Sequence, residues 1–400
     1  MTDLFWPGDH RAGDVMTDAS FLAAMVRAEN AWLRVLVDAG VAPAGARADL
    51  TALISADDVQ TVAAGAEVDG NPVIGLVALL RKRADGPTAR WLHRGLTSQD
   101  VIDTALMLRL RDALSRIRAE LTAQVHTLVG LVETHHRSPM VARTLTQPAL
   151  PSTVGAKVAN WLGGVLDAVD TLAAVPPLPL QAGGAAGTLA ATTELMDSPV
   201  EAVALSEGFA AVLDLAPALP WHTNRSVITR AADALVTCCD AWGRIANDVA
   251  VGSRPEIGEL TEGHAGGSST MPHKSNPVLS VLVRRAALTA PPLAATLHAA
   301  SAAGVDERSD GGWHAEWATL RTLTRRTVTA AAQMSDLLAA LQVNVERAEA
   351  NLTAAGDILA EQRTMVELTS RPKLSNYTGA AEQLMDAALQ RARQHLKEST

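Results

Sequence analysis

The chain has 400 residues, 48% of them apolar, so it can bury a large core and has room for two or three domains. Charged residues make up 19% and sum to −9 with no run of Lys or Arg. That composition excludes a disordered chain and argues against nucleic acid as a partner. Basic residues that matter are therefore expected singly, each holding a small anion.

No uninterrupted apolar stretch reaches the roughly 18 residues of a membrane span, so no membrane association is expected. The segment Met1–Gly13 lacks the basic-then-apolar order of a secretory signal. Cys238 and Cys239 are adjacent and have no distant partner, which fits a reducing cytoplasm and two packed thiols.

Aromatic residues are only 3%, and β-branched alternation is rare, so the chain reads as all-α. The clearest helix follows Asp100. Leu106, Leu110, Leu114, Ile117, Leu121, Val125, Leu128 and Val132 recur at helical spacing as far as His135. A second helix fits Pro151 to Val175, with proline in its first turn and Pro176 and Pro177 at its end. Further long helices fit Ser226 to Val251, Pro277 to Ala302 and Glu316 to Leu341. Five long helices predict a central bundle over residues 98–340, with helical segments at 1–97 and 341–400 on either side.

Three loops interrupt this pattern: His93–Asp100, Arg143–Pro151 and Gly252–Pro277. The last is long for a connection between helices, which points to function. It contains Gly267-Ser268-Ser269-Thr270-Met271-Pro272-His273-Lys274-Ser275-Asn276-Pro277. Glycines let backbone N–H groups surround an anion, and such donors would stabilise a serine alkoxide. Lys274 and Asn276 are suited to a substrate carboxylate. In the first loop, Thr97 and Asp100 have capping-box spacing, and a helix N-terminus is itself an anion site. His135-His136 lacks the spacing that puts two metal ligands on one helix face, and no zinc motif occurs.

The Gly-Ser-Ser-x-Met-Pro-x-Lys-x-Asn-Pro pattern resembles the signature of the fumarase/aspartase superfamily, and the likeness runs from Leu4 to about Leu389. Asn71-Pro72-Val73-Ile74, Thr97–Ala105, Gly183–Leu189, Trp221-His222-Thr223 and Gly311–Trp317 resemble in particular its 3-carboxy-cis,cis-muconate cycloisomerase branch. Adenylosuccinate lyases share the Thr-Ser-x-Asp and Met-Pro-His-Lys features. The resemblance implies three mostly helical domains. It also implies a homotetramer with a twenty-helix bundle, whose active sites each draw on three subunits. The chemistry implied is β-elimination or its reverse through an aci-carboxylate, with no cofactor and no metal. For the cycloisomerase branch the substrate is a tricarboxylate that closes to a lactone, in the protocatechuate branch of the β-ketoadipate pathway. A lyase that releases fumarate from a substituted succinate is the alternative, and a non-catalytic structural descendant a third reading.

Carried over residue by residue, Ser269 matches the general base, supported by Ser268. Thr97, Ser98, Met271, Lys274 and Asn276 match substrate-binding positions. His93, Arg143, Thr144, Gln147, His222, Arg225 and Arg308 are further candidates for the pocket, the arginines because a guanidinium grips carboxylate in a fork. Relatives carry histidine where this chain has Leu145 and, in some, where it has Pro148. The middle loop therefore leaves the general acid unassigned, since Gln147 would be a poor proton donor.

Overall fold

The computed structural model describes residues 3–263, 266–267, 270–271 and 274–398. Its helices are α1 (Asp18–Asp38), α2 (Val59–Asp69), α3 (Val73–Arg83), α4 (Gly86–Trp91), α5 (Ser98–Thr134), α6 (Val154–Ala173), α7 (Ala190–Met196), α8 (Pro199–Leu213), α9 (Ser226–Gly252), α10 (Val278–Ala302), α11 (Gly311–Ala340), α12 (Val345–Ala354), α13 (Ala360–Thr369) and α14 (Ala381–Glu398). Two small antiparallel sheets accompany them: β1 (Pro139–Thr144) with β2 (Gln147–Thr153), and β3 (Leu260–Thr261) with β4 (Gln342–Val343). The all-α expectation holds, and the five long helices fall where hydrophobic periodicity puts them, within a few residues at each end.

Contacts divide the chain into two compact units. The first comprises residues 1–115, 175–233 and 292–326; the second comprises 116–174, 234–291 and 327–400. In the first unit, α1 packs on α8, and Trp32 meets Phe209 with ring centroids 5.3 Å apart. In the second, α14 lies on α6 and α12 on β1. The stripe read along α5 is the buried one: Leu110, Ile117, Leu121, Val125, Leu128 and Val132 have no exposed surface.

The segment read as a loop at Arg143–Pro151 is instead a β-hairpin, and α6 starts at Val154 rather than Pro151. Pro148 and Pro151 do not prevent this, because every strand of a two-stranded sheet is an edge and can lack a donor on its open side. The register shifts between Ala142 and Arg143, and the turn residues Leu145 and Thr146 both have positive φ, 47° and 72°. This is the left-handed turn that a two-residue hairpin needs, made without glycine or asparagine. The last long helix begins at Gly311, so Trp313 and His314 belong to its first turn.

The start of α5 is held by buried charge in the first unit. Asp103 takes Arg225 Nη1 at 2.7 Å and Nη2 at 3.0 Å, and also the Trp313 indole N–H at 3.0 Å. The same guanidinium reaches Glu316, with Nη2 2.7 Å from Oε2, and lies over the Trp221 ring at 4.6 Å. Burial alone would lower Arg225, but the Asp103 and Glu316 carboxylates outweigh it and hold the guanidinium above its ordinary range. Burial pushes the Glu316 carboxyl up, against the downward pull of Arg225. The second unit has a neutral counterpart. Gln124 on α5 accepts from the Trp242 indole at 2.7 Å and donates to Ala331 O and Ser335 Oγ, both at 3.1 Å.

Arg225→Met leaves two carboxylates buried without their cation. It should cost about 3–5 kcal/mol in urea unfolding at neutral pH, and the deficit should shrink as acid protonates the carboxyls. Gln124→Leu strands the Trp242 N–H and should cost about 1–3 kcal/mol in the same assay, with little dependence on pH.

Candidate functional site

In the first unit the candidates gather around Asp100, which has no exposed surface. Its Oδ2 accepts from the backbone N–H of Thr97 at 2.9 Å and of Gly184 at 3.0 Å. Its Oδ1 accepts from Gly183 N at 3.0 Å and faces His222 Nε2 at 3.0 Å. A carboxylate only accepts, so Nε2 of His222 carries the hydrogen. The Thr97 bond is the half of the capping box made by the acidic side chain, and it fixes the residue that begins α5. Gly183 is required by close approach: a Cβ there would sit 2.7 Å from His222 Cε1 and 2.8 Å from Pro220 Cβ.

Around this hub, Thr97 and Ser98 are half-buried at the N-terminus of α5, where unpaired N–H groups and the helix dipole favour an anion. The exposed Arg308 donates to Thr97 Oγ1 and brings a cation to that end. His93 precedes them, its Nδ1 2.5 Å from Glu29 Oε1. His222 is only 4% exposed and Arg225 2%. The expectation that Arg225 grips substrate is therefore corrected: its donors are engaged by Asp103 and Glu316, and it supports α5 from inside. His222 likewise ties Asp100 to the 221–223 segment.

In the second unit, Thr144 and Gln147 are exposed at the mouth of the hairpin, on either side of Leu145, which is 96% exposed. Arg143 departs from its expected role as Arg225 does. Its two terminal nitrogens pair with Glu259 at 2.9 and 2.7 Å, and Asn351 Nδ2 adds a bond to the same carboxylate at 2.8 Å. Arg143 thereby fastens the hairpin to the start of the 252–277 segment. Glu262 then caps α10, accepting from Leu279 N at 3.0 Å and Ser280 N at 2.5 Å. The signature loop closes on itself, with Gly266 N bonded to Asn276 O at 3.0 Å and Asn276 N to Gly266 O at 2.9 Å. Met271 and Lys274 are exposed between these ends, and Asn276 Nδ2 donates to Gly267 O at 3.3 Å. Ser268 and Ser269 lie outside the described residues.

The acidic supports Glu29, Asp103, Glu259, Glu262 and Glu316 were not among the sequence candidates. A signal existed for two of them. Asp103 stands three residues before Leu106 on the buried stripe of α5, and Glu29 interrupts the apolar face Leu22, Met25, Trp32, Leu36 of α1. An acid at a core position of an amphipathic helix requires a partner.

A family model described as Lyase matches residues 47–291. The chain is 42% identical over 366 residues to a nitrosuccinate lyase of Streptomyces davaonensis, covering 88% of this chain and 77% of that protein. It is 38% identical over 395 residues to a 3-carboxy-cis,cis-muconate cycloisomerase of Bradyrhizobium diazoefficiens, covering 95% and 85%. The crystal structure of the 3-carboxy-cis,cis-muconate lactonizing enzyme of Pseudomonas putida superposes with a TM-score of 0.85 at 30% identity, over 96% of this chain and 97% of that one. The helical bundle, the signature loop and these matches agree: the chain belongs to the Lyase family of the fumarase/aspartase superfamily.

Proposed function

We propose that the protein closes 3-carboxy-cis,cis-muconate to a carboxymuconolactone, using the superfamily's elimination chemistry in the direction of addition. One substrate carboxylate oxygen attacks the β-carbon of the conjugated acid. One C=C π bond is lost as one C–O bond and one C–H bond form, and one proton is taken up. Ser269 exchanges that proton with the α-carbon. Lys274, Asn276 and the backbone N–H groups of the signature loop meet the charge of the aci-carboxylate. In a site shared between subunits, Thr97, Ser98 and Arg308, at the start of α5, hold a carboxylate that does not react.

The observation that carries this reading is the hairpin turn Thr144-Leu145-Thr146-Gln147, which presents an exposed leucine and no titratable group. In the reverse direction the departing group must then leave without a proton from this turn. A carboxylate does so far more readily than an amine, because its conjugate acid is much the stronger of the two. The difference argues against substrates of the adenylosuccinate type. Nitrite is an equally good anionic leaving group. Cleavage of a nitrosuccinate is therefore the second reading, favoured by the 42% identity to a nitrosuccinate lyase.

A homotetramer with shared active sites goes with this proposal. Helix α10 is the one described helix long and apolar enough to cross a membrane, with a mean hydropathy of 1.3 over its most apolar window, and only 28% of that window is buried. Arg284 and Arg285 break its apolar run, which is why the sequence shows no uninterrupted span there. Val281 and Leu288 are 54% and 75% exposed, an apolar face that neighbouring copies would cover in a twenty-helix bundle. Light scattering on the eluting protein should give four times the chain mass.

Purified enzyme should deplete the ultraviolet absorbance of 3-carboxy-cis,cis-muconate, and Ser269→Ala should lower kcat by about 10²–10⁴-fold without changing the fold by circular dichroism. Nitrite release from nitrosuccinate in place of lactone formation would transfer the assignment to the second reading. Turnover of neither, with fumarate released instead from adenylosuccinate, would contradict both.

A further inference from the structure

Glu29 is a buried carboxylate that the chemistry above does not use. It sits in α1 with no exposed side-chain surface. One oxygen faces His93 Nδ1 at 2.5 Å, and the other, Oε2, has no hydrogen-bond partner. Half-satisfied burial of a carboxylate works against stability, and a glutamine or leucine would suit a purely structural position better.

The histidine it faces is constrained from every side. His93 has φ 61°, the left-handed region that a residue with a side chain seldom occupies. The carbonyls on both sides of it are pinned: Arg81 Nη2 donates to Leu92 O at 2.8 Å, and the Trp32 indole donates to Arg94 O at 2.7 Å. Strained backbone held by several independent bonds is the mark of a residue whose direction matters. The ring is 18% exposed, and its Nε2 has no partner among the described residues. Four residues further on, Thr97 and Ser98 begin α5 under Arg308.

We propose that Glu29 is a positioning residue for His93. Its carboxylate accepts the hydrogen bond from Nδ1–H and leaves Nε2 facing outward, so that the ring can donate to the substrate carboxylate held at the start of α5. The carboxylate–histidine pair thus serves binding, as a second-layer carboxylate does behind a metal-bound histidine. The charged groups around the pair are Glu29 on α1, Arg81 on α3, Arg94 beside it in the chain and Arg308 at Thr97. The identity of the ligand rests on the elimination reading; the pairing does not.

The test compares Glu29→Gln, His93→Asn and the double variant. Acting through His93, Glu29→Gln should raise KM for the turned-over substrate about tenfold while kcat stays within threefold, and the double variant should be no worse than His93→Asn alone. Its melting temperature should not fall. A readout without turnover uses diethyl pyrocarbonate, which modifies only neutral imidazole, with peptide mass spectrometry at His93. At one fixed pH the rate of labelling should differ between Glu29→Gln and the parent protein, and tricarballylate should protect the ring. Additive losses in the double variant, or identical labelling rates, would overturn the pairing. Failure of the parent to turn over either substrate, with the labelling difference intact, would instead remove the proposed reaction and leave the pair in place.

Discussion

Two aspartates one helical turn apart hold the first unit in register. Asp100 and Asp103 are both fully buried at the beginning of α5, where ionised side chains are costly unless every oxygen is answered. Asp100 is answered mainly by backbone: Thr97 N, Gly183 N and Gly184 N, with His222 beside them. Asp103 is answered by Arg225, Trp313 and Gln99 Nε2, the last at 3.1 Å. The first residue of the helix, the position of the glycine loop and the place of residues 221–225 all follow from these bonds. A substitution at either aspartate would strand several partners at once.

The second unit solves the same problem with glutamates. Glu259 receives Arg143 in a fork, and Glu262 caps α10. Between these two acids and Asn276 the signature loop is tied at both ends, while Met271 and Lys274 stay exposed. The division of labour is plain in both units. Arg143 and Arg225, which sequence patterns favour as substrate ligands, are spent on internal carboxylates, and among the described candidates Thr144, Gln147, Met271, Lys274 and Arg308 stay exposed.

Much of this was legible beforehand, for identifiable reasons. Helices such as α5 announce themselves because burial on one face repeats every three to four residues. The signature loop announces itself because glycines, hydroxyls and a lysine rarely coincide so densely. The hairpin was missed because Pro148 and Pro151 read as loop residues, and only the pairing with 139–144 shows that both lie on free edges. The fates of Arg143 and Arg225 were missed because a guanidinium suits an internal carboxylate as well as a bound one. Only the burial of Glu259, Asp103 and Glu316 separates the two cases.

In the proposed reaction one proton-exchanging serine suffices because the departing group is a stable anion. A leaving-group series tests this most directly: kcat for succinates carrying nitro, acyloxy and alkylamino groups at the same carbon. Without an acid in the hairpin turn to assist departure, the rate should fall by orders of magnitude as the basicity of the leaving group rises. A flat dependence, with the alkylamino compound cleaved as fast as the nitro compound, would contradict the claim and demand a proton donor that the hairpin turn does not carry.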